Sequence, residues 1–362
     1  MGIDDIGTVH ILSKESISPK IELDLDKCTP GMLMAETVYN HMGAIMILEN
    51  TELDPATINS LKRLGIDRVK VYQKLENNTS EDMSKRFREV YTRNLAVTKE
   101  VFSDIYSGKP LDMAKVEHLS GSVLDIGESD GACLKIKEKL LNFSERLYTH
   151  SVNVSMLSYL VAKWLKLGKK QTDSLVKAGV LHDIGKIKTN PVLWNKYEHL
   201  AEAESGEVKQ HPVLGWEIVR TAGNSDSDLA EAILMHHEKE NGRGYPSGIE
   251  GEGINILARI INVADMFDNL TSGSNGRKAL NPFEAFEAMQ AEGFKGNNTG
   301  IILKFLENAP NYFIGEKFFL SNGEVGEVIF INSKTLHRPL VKVGEQYVDL
   351  AGEKGLKLEG MV

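Results

Sequence analysis

The sequence predicts a mainly α-helical protein with a small α/β accessory domain at its N-terminal end and a small β-rich module at its C-terminal end. Three observations predict it. Apolar residues recur at three- and four-residue steps between residues 143 and 308, short apolar runs alternate with turn signals over residues 20–75, and strand-like apolar runs take over after Pro310. At 362 residues, with 41% hydrophobic and 26% charged residues, the chain is long enough for two or three folded units. The expected divisions are 1–78 for the accessory domain, 79–142 for connecting helices, 143–308 for the helical core and 309–362 for the β-rich module.

In the accessory domain, Thr29-Pro30-Gly31 reads as a turn, and Ala44 to Leu48 and Val69 to Val71 read as strands. Asp54-Pro55 opens a short helix through Ile58, Leu61 and Leu64, stopped by Gly65. Phe87, Val90, Leu95, Val101 and Phe102 mark the connecting helices, broken once at Gly108-Lys109-Pro110. In the core, His150, Val154, Leu157, Val161 and Trp164 share the face of a helix expected to end at Gly168. A second helix runs into Leu181-His182-Asp183, and a third starts at Pro212, since proline suits the first helical position. A fourth ends at Met235-His236-His237, and a fifth carries Ile260, Val263, Asp265 and Phe267. Strands are expected at 317–320, 327–331 and 339–343, with Asn322-Gly323 as a hairpin turn.

Several function classes fall away on composition. No apolar run approaches the roughly 20 residues that span a bilayer. Met1-Gly2-Ile3-Asp4-Asp5-Ile6 has neither a basic nor an apolar leader segment, and Ile6 stands where a myristoylation signal needs Ser or Thr. Two well-separated cysteines, Cys28 and Cys133, fit a reducing compartment, so the expectation is a cytoplasmic protein with no membrane partner. A net charge of −9 argues against broad non-specific binding of long nucleic acid, which needs a basic surface. A small phosphorylated ligand stays open, because bound cations reverse the potential of a single pocket.

The chemistry concentrates in the helical core. His150, His182, Asp183, His211, His236, His237 and Asp265 are all divalent-metal ligand types, and these five of the chain's ten histidines lie within 88 residues of one another. Any one of them alone is more often a satisfied core or surface side chain. The co-occurrence points to a metal centre, and Asp265 on an apolar helix needs a partner of its own. Neighbouring helical residues point about 100° apart, so each of the doublets His182-Asp183 and His236-His237 can serve two ions or one ion from two directions. A carboxylate bridging two ions would hold them about 3.5–4 Å apart, a geometry suited to phosphoryl hydrolysis. Lys186 follows Asp183 by about one turn, and Asn241 to Pro246 form a tight loop directly after the histidine pair.

With Tyr148 to Val154, Leu181 to Lys186, Lys209 to Pro212, His236-His237-Glu238, Gly244-Tyr245-Pro246 and Val263 to Ser272 in order, the chain resembles the HD-GYP family of cyclic-dinucleotide phosphodiesterases, a branch of the HD phosphohydrolases. The resemblance covers roughly residues 143–308 and implies an HD-type helical core. It also implies hydrolysis of cyclic di-GMP to pGpG, with further cleavage to GMP left open, by a hydroxide bridging two metal ions. It makes Asp183 the bridge, with His150, His182 and Asp265 on one ion and His211, His236 and His237 on the other. Iron or manganese is the implied metal, Lys186 the phosphate contact and Tyr245 part of the pocket wall. Arg146 stands where three-metal members carry glutamate, which implies two ions and offers Arg146 to a substrate phosphate. Asn241 replaces a common aspartate. Ser274 replaces the first of two substrate arginines, leaving Arg277. The alternatives are a non-catalytic cyclic-dinucleotide effector and an HD phosphohydrolase for a different cyclic dinucleotide. The connecting helices offer a surface for a homodimer.

Overall fold

A computed structural model of the chain describes residues 20–28, 32, 34–39, 45–47, 51, 53, 55–72, 77–126, 132–135, 143–190, 206–223, 226–273, 278–353 and 355–362. Thr29-Pro30-Gly31, Ala44, Leu48, Asp54, Ser274, Arg277 and the first residues of the chain lie outside the described residues. The chain divides into two compact units, Met1–Met83 and Ser84–Val362.

In the first unit, β1 (Lys20–Asp24) pairs antiparallel with β4 (Arg68–Tyr72), and β2 (Val38–Tyr39) pairs with β3 (Ile45–Ile47). Helix α1 (Pro55–Arg63) lies between β3 and β4 in the chain. Leu25, Met34, Leu53, Ile58, Leu61, Val69 and Val71 form its buried centre. Helix α2 (Asn77–Tyr106) begins before residue 83 and continues far into the second unit.

The second unit is built on helices. After α2 come α3 (Met113–Ile126), α4 (Phe143–Leu165), α5 (Lys169–Leu181), α6 (His211–Thr221), α7 (Ser227–Met235), α8 (Ile256–Ser272), α9 (Pro282–Glu292) and α10 (Thr299–Asn308). Helix α4 ends at Leu165, three residues before the expected Gly168, which instead caps the start of α5. The later helices begin on side-chain caps: Asp226 accepts from Leu229 N, Asn255 from Leu257 N, and Asn281 forms a capping box with Glu284. Among the described residues, no helix is long and apolar enough to cross a membrane.

Strands β5 (Lys317–Leu320), β6 (Val325–Phe330), β7 (Leu340–Val343), β8 (Gln346–Asp349) and β9 (Leu358–Met361) form one antiparallel sheet in the order β8-β7-β6-β5-β9. Phe318, Leu320, Val328 and Val341 point from this sheet into the helical core. There Phe318 meets Phe283 and Phe313 at ring separations of 5.3 and 6.3 Å, and Phe267 meets Phe286 and Phe305 at 5.6 and 5.0 Å. Each such fully buried ring contributes about 1.5–3 kcal/mol over an exposed one, so this aromatic cluster fastens the sheet to α8, α9 and α10.

Two close approaches set the positions of the functional helices. A Cβ on Gly179 would stand 2.7 Å from the main chain of Ser155, so only glycine lets α5 press onto α4 at that point. A Cβ on Gly185 would collide with the His211 carbonyl oxygen, so the segment after Asp183 lies directly on the start of α6. These approaches bring the histidines of α4, α5 and α6 to one place.

Candidate metal centre

The seven candidate side chains converge, although the doublets lie at helix ends rather than within helices. His182 is the C-cap of α5, and Asp183 leaves the helix with φ −99° and ψ 5°. His236 is the C-cap of α7, with His237 just beyond. His211 opens α6, while His150 and Asp265 sit inside α4 and α8. Nδ1 of His182 donates to Gly179 O at 2.8 Å, that of His211 to Val208 O at 2.8 Å, and that of His236 to Ile233 O at 2.7 Å. A carbonyl can only accept, so each bond puts the ring proton on Nδ1 and leaves Nε2 facing the centre. Gly179 and Ile233 lie in the last turns of α5 and α7, where carbonyls are to spare, while His211 turns back to a carbonyl just before α6.

Asp183 occupies the middle and is 1% exposed. Its Oδ2 lies 3.5 Å from Nε2 of both His150 and His182, and its Oδ1 lies 3.3 Å from Nε2 of His211 and 3.9 Å from that of His236. His150, His182 and Asp265 form one donor cluster; Asp183, His211, His236 and His237 form another. Asp265 Oδ1 stands 3.0 Å from His150 Nε2 and accepts from Asn269 Nδ2 at 2.7 Å. Asp183 therefore turns one oxygen to each set.

The electrostatics separate the two sets. Burial alone would lower the His150 ring, but the carboxylates of Asp265 and Asp268 outweigh it and raise its pKa to about 10. Burial lowers His182, and it holds His236 and His237 well below the usual imidazole range. Burial would raise both aspartates. The Lys186 ammonium holds Asp183 well below the carboxylate range, and the His150 contact brings Asp265 down to about 2.

These residues fit divalent metal. Among the described residues, Asp183 Oδ1 is buried with no hydrogen-bond donor, a state that costs about 1–3 kcal/mol if left unmet. The Nε2 atoms of His211 and His236 face each other at 3.2 Å with their protons on the far sides, an arrangement that calls for a cation or proton between them. Nitrogen and carboxylate donors of this kind suit Mn, Fe and Zn.

At the rim, the Lys186 ammonium is paired with Asp183 Oδ2 and its side chain is 17% exposed, so it faces the centre rather than bulk water. Arg146, one turn before His150 on α4, is half-buried and makes no ion pair among the described residues. Burial lowers its pKa while the charge of Asp268 opposes that shift. Tyr245 stacks on His237 at 4.6 Å and 24°, and Lys209 Nζ lies 5.8 Å over the Tyr245 ring. Arg277 is outside the described residues.

Sequence reasoning passed over several supporting side chains. Asp268 Oδ2 accepts from His150 Nδ1 at 2.7 Å, and Asp268 Oδ1 accepts from Asn153 Nδ2 at 2.8 Å. Buried Glu238 accepts from the backbone N–H groups of Ser247, Gly248 and Ile249 at 2.8, 3.1 and 3.1 Å, fixing the loop that carries Tyr245. Asn153 and Asp268 each stand three residues after a candidate ligand on an apolar helix, and that spacing was the available signal.

A family model described as HD domain matches residues 135–295. The cyclic di-GMP phosphodiesterase PA4108 of Pseudomonas aeruginosa is 31% identical over 256 residues, covering 70% of this chain and 61% of that protein. The cyclic di-GMP phosphodiesterase response regulator RpfG of Xanthomonas campestris pv. campestris is 37% identical over 127 residues, 35% of this chain and 34% of that protein. The 3'3'-cGAMP-specific phosphodiesterase 3 of Vibrio cholerae is 33% identical over 141 residues, 39% of this chain and 30% of that protein. The chain spans less than two thirds of the length of each of these relatives. Residues 135–295 of the chain are thus similar to the HD domain family, with the Gly244-Tyr245-Pro246 loop following the histidine pair.

Proposed function

We propose that this protein is a phosphodiesterase that hydrolyses cyclic di-GMP to pGpG, using two divalent metal ions. The observation that carries the reading is the placement of Asp183, with one carboxylate oxygen toward the His150–His182 pair and the other toward the His211–His236 pair. His150, His182 and Asp265 would hold one ion, His211, His236 and His237 the other, and Asp183 both. When bound, such a pair supplies charge neutralisation at the phosphoryl group and a nucleophile available at neutral pH. Iron or manganese fits the mixed imidazole and carboxylate donors. The names of the Pseudomonas and Xanthomonas relatives support cyclic di-GMP as substrate.

The chain's own residues then divide the remaining work. Lys186 offers a positive charge beside Asp183 for a phosphate oxygen, and Arg146 offers a second from α4. Tyr245, held on His237 by the loop that Glu238 tethers, forms an aromatic wall against which a base can stack. Two free cysteines, Cys28 and Cys133, agree with a cytoplasmic setting.

The test is turnover of cyclic di-GMP by anaerobically purified full chain, with bound metal quantified on the same sample. The expected result is pGpG production with about two metals per chain. Metal-loaded protein that leaves cyclic di-GMP intact would sink the substrate assignment. Cleavage of 3'3'-cGAMP instead would redirect it toward the activity named for the Vibrio relative.

A further inference from the structure

His150 is oriented differently from the other locked rings. His182, His211 and His236 use backbone carbonyls, which the helices hold in place. His150 uses the Asp268 carboxylate, 118 residues away in sequence, and a carboxylate can rotate about its own axis. Something must therefore fix Asp268. Ser272 Oγ, whose shorter bond goes to the Asp268 carbonyl at 2.7 Å, also lies 3.1 Å from its Oδ2, and Asn153 Nδ2 donates to its Oδ1 at 2.8 Å from the next turn of α4.

Asn153 introduces an ambiguity that the structure resolves. A carboxamide has a donor end and an acceptor end of nearly the same shape, and only the donor end can serve Asp268. Turned around, its oxygen would face the carboxylate and repel it. The Asp268 carboxylate, which can only accept, takes the amide nitrogen, and the Tyr91 hydroxyl completes the arrangement by donating to Asn153 Oδ1 at 2.9 Å. Tyr91 is 5% exposed, lies on α2, and has its ring stacked on Phe87 at 6.0 Å and 21°. Its ring is thus held by packing while its hydroxyl anchors the carboxamide.

We infer that Tyr91 is a positioning residue for the His150 half of the metal centre, acting through Asn153 and Asp268 on the direction in which His150 presents Nε2. The inference rests on the two-metal reading above, but its readout is metal retention rather than turnover. Loss of the hydroxyl removes the donor that holds Asn153 Oδ1, so the carboxamide can swing, Asp268 can rotate and His150 loosens, while the His211–His236 side keeps its backbone locks. Partners of metal-bound histidines typically govern affinity by roughly 10–100-fold, and Tyr91 is one step further out, so an effect near the lower end is expected.

The experiment equilibrates metal-loaded full-length wild type, Tyr91→Phe and Asn153→Ala against rising EDTA and counts the metal that stays with the protein. Tyr91→Phe keeps the ring on Phe87, so the fold is retained, and the thermal midpoint is recorded as a check. The expected result is that one of the two ions leaves Tyr91→Phe at roughly 10-fold lower EDTA, while the other leaves as in wild type. Asn153→Ala should loosen the same ion at least as much, and combining the two changes should add little. With cyclic di-GMP as substrate, kcat should fall with little change in KM. Release of both ions as in wild type overturns the inference. Equal loosening of both ions with a lowered thermal midpoint also overturns it, since that marks a general structural role. A wild-type chain that holds no metal overturns this inference and the two-metal reading together. A metal-loaded wild type that spares cyclic di-GMP fails only the proposed activity, and metal retention still decides the role of Tyr91.

Discussion

On one side of Asp183, His211 and His236 are locked by backbone carbonyls and His237 is stacked under Tyr245; on the other, His150 and Asp265 depend on the side chains of Asp268, Asn153 and Asn269. The first side is as rigid as the helix ends that form it. The second also holds His182 on a backbone carbonyl, but the aim of His150 and Asp265 rests on a side-chain network whose members carry rotatable bonds. Its pKa pattern differs too, since His150 is raised to about 10 while His236 and His237 are lowered. Two sites that share a carboxylate can thus differ in how firmly, and at what pH, they hold an ion.

The largest effect should come from removing what the two sides share. Asp183→Ala is expected to release both ions and to abolish cyclic di-GMP hydrolysis; a variant with full turnover would end the bridging assignment. Next come the single sides. His211→Ala and His150→Ala should each lose one ion and keep the other, read as bound metal per chain. Loss of both from either variant would mean the two sides do not bind independently. Lys186→Ala should lower turnover by roughly 100-fold with metal content near wild type, because it takes away a charge and not a ligand. Metal loss in that variant would assign Lys186 to folding.

The smallest effect concerns pH and sharpens the contrast most directly. His150 holds a proton on both nitrogens below about 10 in the metal-free chain, so an ion must displace one, and uptake on that side should weaken as pH falls. His236 and His237 are already neutral at that pH because their pKa values are depressed. Equilibrium dialysis at about pH 8 and about pH 6 should therefore show one ion weakening clearly more than the other. Equal weakening of the two would erase the distinction.

Much of this centre was legible in the sequence because ligand chemistry restricts residue type. All seven candidate ligands stand together as the spacing suggested. The helix start beside Pro212 and the stop after Met235 follow from local rules of the same kind. Strands β8 and β9 were missed for a physical reason. Gln346-Tyr347-Val348-Asp349 and Leu358-Glu359-Gly360-Met361 are edge strands with little apolar alternation, held by pairing to β7 and β5 rather than by their own pattern. Tyr91 was invisible because its partner Asn153 lies 62 residues away, and a tyrosine on an apolar helix face reads as ordinary packing.

Helix ends normally fray, and in this chain two of them end in the histidines themselves, His182 on α5 and His236 on α7. Unwinding the last turn and releasing the ligand are then coupled, because the carbonyl that aims each ring belongs to that turn. Metal affinity and local helix stability become one coupled quantity. Amide hydrogen exchange at the ends of α5 and α7 should slow on metal loading by the factor that measures this coupling, which makes the backbone of these two turns a direct gauge of the centre's occupancy.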